Sequence, residues 1–264
     1  MKSELLDISI RAAIEAGKKI LEVYNDPASD FEVERKSDNS PLTIADRLSH
    51  KIIAEILSGS GIPILSEEGA SIDYSERSTW NNLWIVDPLD GTKEFIKKNG
   101  EFTVNIALVT DSVPVLGVIY VPVLGEIYFA QCGLGAFKGV DVGAFEDGEM
   151  AVLNLPLEQN REEGECRVVA SRSHLNDETI CFLDELKKDY PKIEILSKGS
   201  SLKICLIAEG VADIYPRYAP TMEWDTAAGD AILRAMGGAL ENAITGEKLQ
   251  YNKENLLNPY FIAK

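Results

Sequence analysis

The chain predicts a mixed α and β fold, with an antiparallel sheet in its first half and an alternating α/β layer in its second. Three patterns carry that expectation. Leu6, Ile10, Ala13, Gly17, Ile20 and Tyr24 recur at steps of three and four, one apolar stripe along a helix. After the central stretch 83–109, strand-like runs at 113–120 and 126–131 joined by short Pro/Gly turns read as a meander, which is antiparallel. Beyond Cys166, strand-like and helix-like stretches alternate, the pattern of an α/β layer.

In chain order, the first helix covers 4–24 and breaks at 25–30. Residues 31–35 alternate apolar and charged, a half-buried strand, and 37–41 turn. A second helix covers 43–57, with Thr43 and Asp46 in capping-box spacing, and ends at Gly59-Ser60-Gly61. A short strand at 62–66 carries Glu67-Glu68-Gly69 at its end, and the polar stretch 72–82 reads as an exposed connection. The apolar run 83–86 is a buried strand that should stop at Asp87-Pro88, because proline donates nothing to a ladder. The chain re-enters a strand near Phe102, followed by strands at 113–120 and 126–131. The polar, acidic stretch 157–164 looks like a junction. It divides an N-terminal α+β domain (1–156) that holds the antiparallel sheet and most candidate ligands from a C-terminal α/β domain (157–264) that completes the site. In that second half, strands at 166–170, 193–196 and 212–215 alternate with helices at 177–189, 201–209 and 226–236.

A chain of 264 residues with 45% hydrophobic and 26% charged content is long enough for a substantial core. Its formal charge of −17 argues against a nucleic-acid polymer or an anionic membrane as main partner, since both select basic surfaces. It permits a small phosphorylated ligand, because bound cations reverse the local field. No apolar run is long enough to span a bilayer, and the acid-bearing start is unlike a signal peptide. The four cysteines form no C-x-x-C pair, so reduced thiols in a cytoplasmic protein are expected, with peripheral association at the inner membrane face left open.

Acids fall where strands end or helices begin: Asp46, Glu67, Glu68, Asp87, Asp90 and Asp225. Two like charges ~4 Å apart repel by roughly 4 kcal/mol at an effective dielectric near 20. If these carboxylates converge, a divalent cation is the natural counter-charge, and all-oxygen ligation favours Mg²⁺ over zinc. Gly91 permits a tight turn after Asp90, and Thr92 adds a hydroxyl. Each feature also has a plainer reading. Asp87/Asp90 fit a solvated Asp-Pro turn, Asp46 a helix cap, Glu67-Glu68 a loop, and Asp225 a first-turn helix charge.

Three motifs in order, LSEEG (65–69), WIVDPLDGTKEF (84–95) and EWDTAAGDAIL (223–233), resemble the lithium-sensitive, magnesium-dependent phosphatase superfamily of inositol monophosphatase and fructose-1,6-bisphosphatase. SPLTIAD (40–46), DGTKEFIKKNGEFTVNIALV (90–109), ASRSH (170–174) and GSSLKICLIAEGVADIYPR (199–217) bring the closer similarity to the CysQ-type branch, the 3′(2′),5′-bisphosphate nucleotidases. Asp230 departs from the histidine expected there in many members. The resemblance implies a layered α-β-α-β-α sandwich and inhibition by Li⁺. It implies two Mg²⁺ ions, one held by Glu67, Asp87 and the Leu89 carbonyl, the other by Asp87, Asp90 and Asp225. Glu68 would support a third, weaker ion or its waters. Thr92 paired with Asp46 would orient and deprotonate the attacking water. The N–H groups of Gly91 and Thr92, with Lys93, Ser173, His174, Ser200, Ser201 and Lys203, would contact the substrate, 3′-phosphoadenosine 5′-phosphate, cleaved to AMP and phosphate.

Two other readings compete. A haloacid-dehalogenase-type phosphatase needs acids two apart with a nucleophilic first aspartate, whereas Asp87 and Asp90 are three apart. A pure metal-binding module has no use for a Thr92/Asp46 pair. Within the superfamily, an inositol-phosphate substrate is the alternative.

Overall fold

The computed structural model describes residues 3–29, 31, 33–35, 41–69, 71–141, 150–159, 162, 164–170 and 176–264. The first half contains α1 (Glu4–Asn25), β1 (Glu34–Arg35), β2 (Pro41–Leu42), α2 (Ile44–Ser58), β3 (Ile64–Ser66), α3 (Tyr74–Arg77), β4 (Asn82–Asp90), α4 (Thr92–Ile96), β5 (Thr103–Thr110), β6 (Val113–Val121), β7 (Glu126–Gln131), β8 (Gly135–Val140) and β9 (Ala151–Asn154). The second contains β10 (Glu165–Val169), α5 (Asp177–Leu186), β11 (Lys192–Leu196), α6 (Leu202–Ala208), β12 (Tyr215–Arg217), α7 (Glu223–Ala235), β13 (Leu240–Asn242) and β14 (Phe261–Ala263).

Strands β3 to β9 form one sheet in sequence order, β3 parallel to β4 and the rest antiparallel. Successive side chains of a strand face opposite sides. On β4, Trp84 and Val86 join the core under α1 and α2, while Leu83 and Ile85 join the core under α6 and α7. Beyond α7 lie the three-stranded sheet β12-β14-β13 and the parallel pair β10-β11. Leu183 of α5 packs on Cys166 and Val168 of β10. The layers are therefore helix, sheet, helix, sheet, helix, as the resemblance implied.

Helix α7 lies directly on the large sheet. A Cβ at Gly117 of β6 would stand 2.2 Å from the Ala228 carbonyl oxygen, so only glycine admits the helix at this depth. One core thus runs from the sheet into the second half of the chain.

Several expected elements differ in extent. The strand β4 does not stop at Asp87 but runs to Asp90. Asp87 pairs with Asn105 and Asp90 with Thr103, so β4 carries one residue more than β5 over this span, and Pro88 sits in the resulting irregularity where no ladder donor is needed. The strand expected over 31–35 is reduced to Glu34–Arg35, because Phe31 takes a left-handed φ of 63°. The strand expected over 212–215 lies at Tyr215–Arg217, where Pro216 is tolerated in a strand with a single partner, β14. Helix α7 begins at Glu223 rather than Thr226. Residues 72–82 are not simply an exposed connection, since they hold α3 and a buried arginine, Arg77. All four cysteines are free, Cys166 and Cys205 buried, Cys132 and Cys181 exposed.

Candidate active site

The irregularity in β4 is where the site begins. The Asp87 carboxylate, 1% exposed, accepts the Leu89 N–H at 3.1 Å, curling the chain so that Asp87, the Leu89 carbonyl and Asp90 fall within one turn. Ser49 of α2 donates to the Pro88 carbonyl at 2.6 Å and fixes the turn from behind. Glu67 follows β3, and its N–H donates to Val86 O at 3.1 Å, next to Asp87. Asp225 arrives on the first turn of α7, its carboxylate accepting the Met222 N–H at 2.9 Å.

These acids feel one another. Burial, then the charges of Glu67, Asp90 and Asp225, hold the Asp87 carboxyl well above the usual carboxylate range. Burial first and Asp90 second push Asp225 up to about 8, against the opposing pull of the Met222 N–H and of Arg217. Among the described residues, no three acidic, histidine or cysteine side chains close on one point as a ready-made cage. Asp90 is met by donors of Ser200 and Ser201, whereas the Asp87 and Glu67 side chains stay within hydrogen-bonding reach of each other. The two observations agree on the physics: negative charge is concentrated beyond what the nearby side chains neutralise. A divalent cation fits such a set of carboxylates and one carbonyl, which lacks thiol or imidazole donors.

Asp90 is held by Ser200 Oγ at 2.6 Å, the Ser201 N–H at 2.7 Å and Asn105 Nδ2 at 3.4 Å. Ser201 Oγ in turn donates to Asn105 Oδ1 at 2.8 Å, and Thr103 Oγ1 lies 2.7 Å from both serine hydroxyls. The two serines expected to meet substrate are thus also the clamp on Asp90. Gly91 has φ 94°, and a Cβ there would meet Glu101 O at 3.0 Å and Ser200 Cβ at 3.3 Å, so this turn needs glycine on two counts.

Thr92 opens the short helix α4 and donates Oγ1–H toward Asp46 Oδ1 at 3.2 Å, with Leu89 O second at 3.4 Å. The charged carboxylate is the stronger acceptor as well as the nearer. The other oxygen of Asp46 accepts from Thr43 N at 2.7 Å and Thr43 Oγ1 at 2.5 Å. Asp46, 1% exposed, therefore caps α2 with one oxygen and faces Thr92 with the other; the two readings of this residue coexist.

A cleft of about 760 Å³ opens beside these groups, and Asp90, Gly91, Lys93, Ser200, Ser201, Lys203 and Asp225 all line it. Glu67, Glu68, Asp87, Leu89, Asp46 and Thr92 are not part of its wall. Glu68 lies close enough to His50 to raise that imidazole's pKa, against the larger lowering by burial. Ser173 and His174 lie outside the described residues. Lys203 donates to Ser200 O at 2.8 Å and Lys198 O at 3.2 Å, and burial lowers its pKa. Asp230, the departure from the branch pattern, is fully buried away from the cleft, bound to Arg234 Nε at 3.0 Å and the Leu240 N–H at 2.9 Å.

Sequence reasoning missed Arg217, Tyr215 and Tyr218, which line the same cleft. Arg217 Nε is buried and, among the described residues, has no hydrogen-bond partner. The available signal was a cation closing the stretch 199–217, just past a strand end in an acidic chain.

With this geometry in hand, comparison with known proteins decides the family. The family model for inositol monophosphatases matches residues 1–260. The chain belongs to the inositol monophosphatase family. Membership implies a divalent metal cofactor, generally Mg²⁺. The chain is 44% identical, over 97% of its length and 98% of the relative's, to the 3′(2′),5′-bisphosphate nucleotidase CysQ of Salmonella typhimurium. It superposes on the crystal structure of CysQ from Bacteroides thetaiotaomicron with a TM-score of 0.89 at 55% identity, covering 98% of this chain and 96% of the other. A Thermotoga maritima IMPase shares the family's fold at 24% identity, with a TM-score of 0.74 over 99% of this chain and 92% of its own. Among the described residues, no helix is long and apolar enough to cross a membrane.

Proposed function

We propose that the protein is a cytoplasmic, Mg²⁺-dependent, Li⁺-sensitive phosphomonoesterase that hydrolyses 3′-phosphoadenosine 5′-phosphate to AMP and phosphate. The observation that carries the reading is one cleft that brings two kinds of chemistry together: the carboxylates Asp90 and Asp225 line it, and so do the cations Lys203 and Arg217 and the rings of Tyr215 and Tyr218. A carboxylate cluster that holds cations serves the phosphate that reacts. A second phosphate, which does not react, needs protein donors, and a base needs an apolar or aromatic wall. The bisphosphate-nucleotidase relatives support the same substrate.

Glu67, Asp87, the Leu89 carbonyl, Asp90 and Asp225 would hold the divalent ions, two in number, with Glu68 near a further one. Bound there, the metal supplies charge neutralisation of the phosphoryl group and acidifies water. The chain's own residues do the rest. Thr92 Oγ1 accepts a hydrogen bond from the attacking water while its own proton points at Asp46 Oδ1. As the water oxygen bonds to phosphorus, its proton passes to Thr92 and the Thr92 proton to Asp46. The ester P–O bond opposite the attack breaks, and the departing 3′ oxygen takes a proton from solvent. The N–H groups of Gly91 and Thr92, with Lys93, would receive phosphate oxygens. Ser200 and Ser201 hold Asp90 in place and border the substrate, and Lys203 and Arg217 receive the 5′-phosphate.

A side-by-side kcat/KM comparison of 3′-phosphoadenosine 5′-phosphate, AMP, inositol 1-phosphate and fructose 1,6-bisphosphate tests the proposal. The bisphosphonucleotide should rank first. Preference for the inositol or fructose phosphate overturns the substrate and leaves the metal chemistry intact. Arg217→Gln and Lys203→Ala should each raise KM for the bisphosphonucleotide roughly tenfold to a hundredfold, the value of a charge-assisted hydrogen bond, with kcat little changed. A fall in kcat at constant KM would instead place these cations at the reacting phosphate.

A further inference from the structure

The start of α7 is held from outside the cleft. Arg77, on α3, is 3% exposed and commits both terminal nitrogens of its guanidinium to a distant loop. Nη1 donates to Asn252 Oδ1 at 2.8 Å and Lys253 O at 3.0 Å, Nη2 donates to Glu254 O at 3.2 Å, and Nε donates to Ile72 O at 3.3 Å. Asn252 Nδ2 donates back to Arg77 O at 2.8 Å. The gripped loop turns its own donors on Glu223. The Asn252 N–H reaches Glu223 Oε2 at 2.5 Å, while the Lys253 N–H and Nζ reach Oε1 at 3.0 and 2.5 Å. Glu223 is 0% exposed. Its own N–H donates to Leu256 O at 3.0 Å, and Asn258 Nδ2 donates to the Met222 carbonyl at 2.8 Å. Glu223 is the first residue of α7, Asp225 follows two residues on, and Met222 is the residue whose N–H holds the Asp225 carboxylate.

We infer that Arg77, acting through the 252–254 loop and Glu223, is a positioning residue for Asp225 and thereby sets how tightly the site binds its divalent cation. The inference rests on the reading of Asp225 as a metal ligand. None of Arg77, Glu223, Asn252 and Lys253 lines the cleft, so a role in contacting substrate is not what the geometry offers them. The arrangement suits a positioning role for two reasons. A planar guanidinium fork fixes direction as well as distance, which a lysine would not. Mg²⁺ demands near-ideal ligand geometry, so a small shift of the α7 terminus is felt at the ion.

Calorimetric titration of Mg²⁺ into the full chain, without substrate, tests this. Arg77→Met should weaken Mg²⁺ binding about tenfold, the low end of what is lost with partners behind a ligand. At saturating Mg²⁺ its KM for the bisphosphonucleotide should match wild type. In an Asp225→Asn background, Arg77→Met should weaken Mg²⁺ binding no further. Unchanged Mg²⁺ affinity with a lowered Tm, or the same loss in both backgrounds, overturns the inference and leaves the site reading standing. Unchanged affinity in Asp225→Asn alone overturns the ligand assignment on which the inference rests. Asn252→Gly removes one Arg77 acceptor at a position whose φ of 62° suits glycine. It carries the same test if Arg77→Met does not fold: a smaller but measurable loss is expected, and unchanged affinity overturns the inference.

Discussion

Asp90→Asn should remove turnover by at least about a hundredfold while the protein keeps its fold, and excess chelator should abolish turnover in the unchanged protein. Asparagine can still accept from Ser200 Oγ and the Ser201 N–H through its Oδ1, so the clamp between β4 and α6 survives. What is lost is a negative charge. That charge is one of the influences holding Asp87 and Asp225 above their usual range, so without metal its removal relieves repulsion rather than adding strain. Tm of the metal-free variant should therefore equal or exceed that of the parent, while the Mg²⁺ concentration for half-maximal activity rises. The pairing of lower activity with undiminished metal-free stability separates a ligand from a structural aspartate. Full activity in excess chelator, or a collapse in metal-free Tm, would count against the two-metal assignment.

Much of this site was legible because its acids sit at element boundaries, where a strand end or a first helical turn leaves a carboxylate pointing into shared space. The sequence put Glu67 at a strand end and Asp225 at a helix start, where the structure has them, but set Asp87 and Asp90 beyond a strand that in fact contains both. The Thr43–Asp46 capping box was also readable, because caps are local. What stayed hidden depends on partners far along the chain. Pro88 reads as a stop to the strand, because the periodic pattern cannot show that β5 supplies one residue fewer opposite it. Arg77 lies in a stretch whose composition looks solvated, and only the 252–254 backbone carbonyls reveal why it is buried. Arg217 follows Pro216, where a pattern reading ends the strand, so its place in the cleft wall emerged only with β12 paired to β14. Asp230 shows the converse. The residue that departs from the branch's histidine forms a buried ion pair with Arg234, one turn on along α7.

Thr92→Ala should cut kcat by roughly 10²–10⁴-fold, the range typical of lost acid–base catalysis, with a smaller effect on Mg²⁺ affinity. Asp46→Asn should do much the same for a different reason. Its oxygen toward Thr43 can be kept by the amide, but the atom facing Thr92 then carries protons and can no longer take one. The double variant should be little worse than either single, because each disables the same proton path. Capping predicts something else. A lost N-terminal cap costs about 1 kcal/mol of stability and leaves chemistry untouched, so Asp46→Asn would lower Tm with kcat intact, and any loss would add to that of Thr92→Ala. Since the two oxygens of Asp46 serve Thr43 and Thr92 separately, Thr43→Val provides the contrast. It removes the hydroxyl donor to Oδ2 while leaving Oδ1 free to face Thr92. Thr43→Val should therefore cost stability with kcat changed far less than in Asp46→Asn. Equal loss of kcat in Thr43→Val and Asp46→Asn would mean that Asp46 acts on turnover only by holding α2 in place.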